Sequence, residues 1–252
     1  MAEEYTIFEQ GVLPSGGKVY FDRKVNPEFK IRSMTTEEEM RRLSKSERPL
    51  KLICDIIDDC IVGEKIGISS YDMCLGDYQY LLHKLRTATY GPNYRLDSFC
   101  PFCGERVAKT INLDEMEILP FPEDIDSMLS VTLPRSKKEV KLKIQTPRDY
   151  DNIEIRKKDF QKKFPDSKTD QSLLFSICAM IETIDGERLD PFKLETFIRN
   201  LPMADTNKIT KAQEKLIAAI GINTSIEYEC EACGNTFRSP FRITSEFYGP
   251  ED

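Results

Sequence analysis

Cys100-Pro101-Phe102-Cys103-Gly104 and Cys230-Glu231-Ala232-Cys233-Gly234 are two copies of one pattern, C-x-x-C-G, and half of the 252-residue chain lies between them. The turn between paired cysteines points both thiolates at one metal ion. The following Gly takes up positive φ without a Cβ clash, which lets backbone amides face the sulfurs. Two such turns supply a tetrahedral set of four cysteines that is closed, with no open position for water or substrate. Strand-like residues flank each turn: Tyr94–Phe99 and Glu105–Leu113 around the first, Thr224–Glu229 and Thr236–Ile243 around the second. Two hairpins, each with a knuckle at its tip, are the sequence form of a zinc ribbon. A compact ribbon separates its knuckles by about 15–20 residues. Here the ribbon must be split by an insertion, which is feasible since both ends of the insert lie next to the same small sheet shared by the two hairpins.

Cys100, Cys103, Cys230 and Cys233 are therefore expected to bind one structural zinc ion per chain. Such binding contributes on the order of 10 kcal/mol to folding, and its loss is expected to unfold the join between the N-terminal region and the insert. A thioredoxin-type redox pair fits less well, because that motif sits at a strand-to-helix junction and one copy suffices. A disulfide framework suits small secreted chains, and this chain is neither short nor led by a basic-then-apolar signal. The other four cysteines, Cys54, Cys60, Cys74 and Cys178, have apolar neighbours and read as small buried hydrophobes.

Composition narrows the function classes. There are 36 Lys+Arg against 43 Asp+Glu, one His and no Trp, for a net charge of −7 and a pI near 5.1. This is the balance of an ordinary soluble globular protein. No apolar run approaches the roughly 20 residues that cross a bilayer, so no membrane partner is expected. The acidic balance argues against a general nucleic-acid binder on electrostatic grounds. A single His removes sites built on several imidazoles.

Along the chain, Leu13–Gly17 reads as a turn, followed by strands Lys18–Phe21 and Phe29–Met34. Thr35-Thr36-Glu37-Glu38-Glu39 starts a helix to about Ser44, with a Thr N-cap, a Glu at N3 and acids in the first turn, the capping-box pattern. A second helix from Pro49 to Cys60 places Leu52, Ile53, Ile56, Ile57 and Cys60 on one face. Gly76-Asp77 caps a third through about Thr87. Past the first knuckle, Val131–Leu133 and Val140–Ile144 form a hairpin turned by Arg135–Glu139. Four helices follow: from Thr146-Pro147 to about Phe164, from Asp170 to about Thr183, from Asp190-Pro191 to Asn200, and Thr206–Ile220 closed by Gly221. The fold class is α+β. Its parts are a strand-and-helix region over 1–93, a split ribbon over 94–113 and 224–243, a mainly helical insert over 114–223, and a tail over 244–252.

Catalytic patterns are missing. Gly11–Lys18 resembles a phosphate loop but has the wrong glycine spacing, and Val19 stands where Ser or Thr is needed. His83 reads as a partly exposed helix residue, and the chain has no G-x-S-x-G elbow. The cluster Asp55, Asp58 and Asp59 could hold a divalent cation, but Asp55 and Asp59 share a face opposite the apolar stripe of their helix, so a solvated face is the better reading. The basic stretch from Arg135 to Lys163 is the one marked charge asymmetry, and it leaves the rest of the chain strongly acidic. It reads as solvated helix or as a contact for an acidic protein, and less well as a nucleic-acid surface, since the two hairpins are close to charge balance.

An ordered set of short motifs resembles a known family. It runs from Leu13-Pro14-Ser15-Gly16-Gly17 with Tyr20, through Ile31-Arg32-Ser33-Met34-Thr35-Thr36-Glu37-Glu38-Glu39, to Pro49-Leu50-Lys51 and Asp59-Cys60-Ile61-Val62. It continues with Asp72-Met73, Gly76-Asp77, Leu81-Leu82, Leu85-Arg86, Thr89-Tyr90-Gly91 and Tyr94, then the first knuckle and Asn112-Leu113. This order is similar to the baseplate protein family of T-even-like contractile-tailed bacteriophages, which includes hub components and hub-assembly factors. The resemblance covers the first 115 residues and is compatible with a ribbon completed far downstream; Val131–Gly221 carries none of it. It implies a non-enzymatic role in building the baseplate hub through other baseplate proteins, in the virion tail or in the host cytoplasm during assembly. The alternative from the residues alone is a zinc-ribbon nucleic-acid-binding regulator.

Overall fold

A computed structural model describes residues 7–241 and Phe247. The expected tail over 244–252, apart from Phe247, and the end of the second hairpin at Arg242 and Ile243 lie outside the described residues.

Strand β1 (Phe8–Val12) pairs antiparallel with β2 (Glu28–Arg32), and β2 pairs with the short β3 (Ile61–Val62). No strand forms at Lys18–Phe21, where consecutive turns carry the chain from β1 to β2. The partner of β2 is instead the Gly-containing Phe8–Val12. Gly11 fits there because a Cβ would stand 2.9 Å from the Tyr80 hydroxyl. The capping box is present at the start of α1 (Thr36–Arg42), with Thr35 and Glu38 bonding reciprocally. Arg32 adds a guanidinium fork to the Glu38 carboxylate at 2.6 and 2.9 Å. That ion-pair hydrogen bonding holds the Glu38 carboxyl down at about 2.

The core is built around α2 (Pro49–Cys60) and α3 (Leu75–Tyr90). α3 is buried on nearly every side, so its polar residues are inside as well as its apolar ones. Asp77, with no exposed surface, does not cap its own helix. It accepts from the Ser15 amide (2.9 Å), the Ser15 hydroxyl (2.6 Å) and the Tyr20 hydroxyl (2.7 Å). The Leu13–Gly17 turn is thus pinned to the first turn of α3. His83 is 2 % exposed, a correction to the partly exposed position expected for it. Its Nε2 meets the Leu113 carbonyl at 2.9 Å and burial lowers its pKa to about 4.

The connection after the first hairpin (β4, Asn93–Phe99; β5, Arg106–Asn112) leads through α4 (Ile125–Leu129) to β6 (Ser130–Thr132) and β7 (Glu139–Leu142). Then come α5 (Pro147–Lys163), α6 (Ser172–Met180), β8 (Ile181–Ile184), α7 (Pro191–Arg199) and α8 (Met203–Ala218). The expected hairpin is in fact a three-stranded sheet, because Ile181–Ile184 leaves the helix and pairs with β7. Two Ile and a Thr in four residues favour the pleated conformation once β7 offers an edge. The short α4 stands where the sequence reading has no element. The final hairpin is β9 (Ser225–Glu229) with β10 (Thr236–Pro240).

The 114–223 stretch is welded to the N-terminal helices. Asp151 on α5, 1 % exposed, accepts from the Leu50 and Lys51 amides at the start of α2 (3.2 and 2.9 Å) and from the Tyr71 hydroxyl (3.1 Å). A carboxylate there both satisfies orphan amides and meets the positive end of the helix dipole. Arg148 forks onto Asp72 at 2.6 and 2.8 Å. Where α3 begins, a Cβ on Gly76 would stand 2.3 Å from the Ile220 carbonyl oxygen, so only Gly permits that approach.

Candidate metal centre

Each knuckle is built by its own hairpin. β4 and β5 pair from Asn93↔Asn112 to Phe99↔Arg106, and β9 and β10 from Ser225↔Pro240 to Glu229↔Thr236. At both tips the chain makes the same turn. The Cys100 amide donates to the Glu105 carbonyl (2.8 Å) and the Gly104 amide to the Cys100 carbonyl (2.9 Å). Cys230 with Asn235 (3.0 Å) and Gly234 with Cys230 (2.7 Å) repeat the arrangement. Gly104 and Gly234 have φ of +77° and +70°, the left-handed region that Gly occupies without strain.

The hairpins form two separate two-stranded sheets rather than one shared sheet. Away from the tips, the Lys109 ammonium spans them, donating to the Glu227 carbonyl at 2.7 Å. Their bases are brought side by side by the chain that leaves β5 and returns to β9. The Leu119 amide donates to the Gly221 carbonyl (2.9 Å), the Asn223 amide to the Glu117 carbonyl (2.8 Å), and Ile118 bridges Ile222. The two ends of the 114–223 stretch therefore lie together next to the hairpins.

All four sulfurs converge at the tips, lying within 4.8 Å of one another. Cys100 Sγ is 3.7 Å from Cys233 Sγ, and Cys103 Sγ is 3.6 Å from Cys230 Sγ. Four thiolates at the usual Zn–S distance define a tetrahedron with edges of about 3.8 Å, so these separations suit a metal cage. They are far too long for disulfides, and all four cysteines are free. Cys100 and Cys230 are buried while Cys103 and Cys233 face outward. The Asn235 backbone amide, helped by its side-chain amide, lowers the Cys233 thiol to about 6. Cys103 is pushed up to about 12: the Glu105 amide favours its thiolate, but desolvation and hydrogen bonding to the other three cysteines outweigh it. Four crowded sulfurs cannot all hold negative charge without a cation, and a divalent soft metal removes that conflict.

The remaining cysteines lie away from the cage, and Cys74 Sγ accepts from the Tyr20 hydroxyl at 3.6 Å. Cys54, Cys60 and Cys74 are buried and Cys178 is half-buried. Burial raises Cys54 and Cys74 well above the ordinary thiol range, Cys60 to about 12 and Cys178 to about 11. Such thiols are inert. The three aspartates of α2 do not converge on a cation. Asp55 pairs with Lys51 (2.6 Å) and Asp59 with Arg41 (2.7 Å), while Asp58 accepts from the Ser69 hydroxyl and the Ser70 amide (2.7 and 3.0 Å). Gly11, where the phosphate-loop likeness began, lies inside β1.

With this geometry established, comparison with known proteins supplies a family. The family model described as T4 bacteriophage base plate protein matches residues 5–247. The chain belongs to this family. No curated protein and no solved structure matches it significantly. The match extends the baseplate resemblance from the first 115 residues through the helices between the two hairpins and the second cysteine pair. The two cysteine pairs therefore fall within one baseplate-family unit. Among the described residues, no helix is long and apolar enough to cross a membrane.

Proposed function

We propose that this baseplate-family protein is a structural or assembly component of a phage tail baseplate hub. It works through protein–protein contacts, in the virion tail or in the host cytoplasm during assembly. Cys100, Cys103, Cys230 and Cys233 hold one structural zinc ion and complete a split zinc ribbon. The observation that carries this reading is the four-sulfur cage inside a chain matched almost end to end by the baseplate family. Four cysteine ligands leave zinc no open coordination position, so the ion would act as a clamp between hairpins rather than as a Lewis acid. The chain's own contribution is to hold the sulfurs at tetrahedral spacing and to direct the amides of both knuckles toward them.

The basic stretch favours protein contacts over nucleic-acid binding, because six of its eleven cations are paired within the molecule. Lys138, Lys141, Lys143, Arg148, Arg156 and Lys157 pair with Asp185, Glu182, Asp149, Asp72, Glu195 and Glu154. A nucleic-acid surface keeps its cations free for phosphate. The test is co-purification of a tagged chain from infected cells, with mass spectrometry of its partners and of finished tails. Recovery of other baseplate proteins with the zinc-loaded chain is expected. Recovery of nucleic acid instead, with binding that weakens steeply as salt rises, would replace this reading with the regulator.

A further inference from the structure

Two exposed aromatic surfaces on this chain are complementary to each other. The first is the cysteine tip. Phe99 is 71 % and Phe102 64 % exposed, on either side of Cys100. Glu105, Glu229 and Glu231 are exposed around them. The nearby cation Arg106 is already engaged by Asp97 at 2.7 Å, so the tip is net acidic. A zinc ion on four thiolates would leave two further negative charges there.

The second surface is a groove of about 530 Å³ between α7 and the β6–β7 turn, lined by Ser136, Phe192, Lys193, Phe197, Leu201 and Pro202. Its wall is mainly apolar, and Phe192 is 80 % exposed. The rim is cationic. Arg135 and Lys137 are the sequence neighbours of the lining residue Ser136 and are exposed; Arg135 acts electrostatically on the buried Asp205, and neither has a salt-bridge partner among the described residues. Lys193 has only a long contact, 3.5 Å, with Asp190. These cations stand on fixed backbone: the buried Asp205 carboxylate accepts from the Arg135 amide (2.7 Å) and the Ser136 amide (2.8 Å). A rim held rigid in this way gives up little entropy when a partner docks.

We propose that the cysteine tip of one copy docks into the α7 groove of a second copy, with Phe102 and Phe99 entering the apolar wall and the tip carboxylates meeting Arg135, Lys137 and Lys193. The occupant is a second copy because this chain supplies both halves: a protruding acidic aromatic tip and a cationic apolar groove. The contact is heterologous, so repetition produces a closed ring or an open string rather than a two-fold dimer. Each Phe brings about 150–250 Å² to bury, which leaves the interface below the standard size, about 1,200–2,000 Å², and makes association concentration-dependent. The proposal deepens the hub reading, and the order of the tip rests on the metal clamp proposed there.

The test is analytical ultracentrifugation of the full zinc-loaded chain over a concentration series, with zinc content measured on every sample. Mass is expected to rise with concentration. Phe102→Ser in the tip and Phe192→Ser in the groove are each expected to weaken association at least about tenfold. The decisive arm uses charge reversal. A groove variant, Arg135→Glu with Lys137→Glu, and a tip variant, Glu105→Lys with Glu231→Lys, should each stay monomeric alone and associate when mixed. A zinc-loaded wild type that stays monomeric, or one whose association ignores both Phe substitutions, overturns the docking and leaves the metal clamp standing. Association through tip and groove in a chain that carries no zinc supports the docking and overturns the clamp.

Discussion

The helical body and the hairpin pair are held together by different physics. In the body, α2, α3 and α5 bury long apolar side chains, and carboxylates with almost no exposed surface tie loops and helix starts together: Asp77 to Ser15 and Tyr20, Asp151 to Leu50, Lys51 and Tyr71. The hairpins have little of this. β5 and β10 have no buried residue, β4 contributes Leu96 and β9 Tyr228, and each hairpin is a two-stranded ribbon. Isolated two-stranded ribbons are at best marginally stable in water. At its base the pair leans on the body through aromatic rings, with Tyr94, Phe241 and Phe247 within 5.1–5.5 Å of one another and Arg86 over Tyr94. At the tips, the four cysteine sulfurs of the two hairpins lie within 4.8 Å of one another. A region with a core keeps its shape by burial, whereas a region without one needs a staple.

The largest effect separates these regions. Chelation of the metal, or Cys100→Ser, is expected to remove on the order of 10 kcal/mol from the hairpin pair. Amide hydrogen exchange should then show protection lost in Asn93–Asn112 and Ser225–Pro240 and kept in α2, α3 and α5. This departs from the sequence expectation that metal loss unfolds the join to the insert, because Asp151, Arg148 and the Gly76–Ile220 contact hold that join without the metal. Collapse of the whole chain on chelation would erase the contrast between the regions.

Next in size are the body's buried carboxylates. Asp151→Ala leaves two helix-start amides and the Tyr71 hydroxyl without their acceptor and is expected to cost about 2–4 kcal/mol in denaturant titrations. Zinc content should not change. A smaller loss, about 1–3 kcal/mol, is expected for Gly76→Ala, since the Ile220 backbone must shift to admit the methyl.

The smallest effect is a pH dependence confined to the body. The folded state holds His83 near 4, below the ordinary imidazole value of 6.5. Above that value both states are neutral and nothing changes. As pH falls below it, the unfolded chain takes up a proton that the folded chain refuses, so stability drops by roughly 1 kcal/mol by about pH 5.5. Because His83 is the single histidine, its imidazole resonances report this titration directly. A folded-state midpoint near 6.5, or an unchanged pH profile in His83→Gln, would contradict the buried neutral ring.

Much of this contrast is legible in the sequence, for identifiable reasons. The doubled C-x-x-C-G supplies the cage residues because metal ligands must be named residue types at fixed spacing. The Thr35–Glu38 box and the Pro residues opening α2, α5 and α7 mark helix starts because capping is local chemistry. What escapes depends on neighbours distant in sequence. Ile181–Ile184 becomes a strand only because β7 offers an edge, and Phe8–Val12 pairs although Gly11 weakens its strand character. His83 reads as a surface residue because an amphipathic helix is normally open on one face, whereas α3 is enclosed. The groove beside α7 leaves no motif at all, since its lining is assembled from α7, the residues after it and Ser136 of the distant β6–β7 turn.

The central claim is that one metal ion, held only by sulfur, closes the hairpin pair. X-ray absorption at the zinc edge on the purified chain tests it most directly. One zinc per chain with four sulfur neighbours at about 2.3 Å is the expected result. A shell containing nitrogen or oxygen, or a chain that folds with its four knuckle thiols free and no zinc bound, would contradict it.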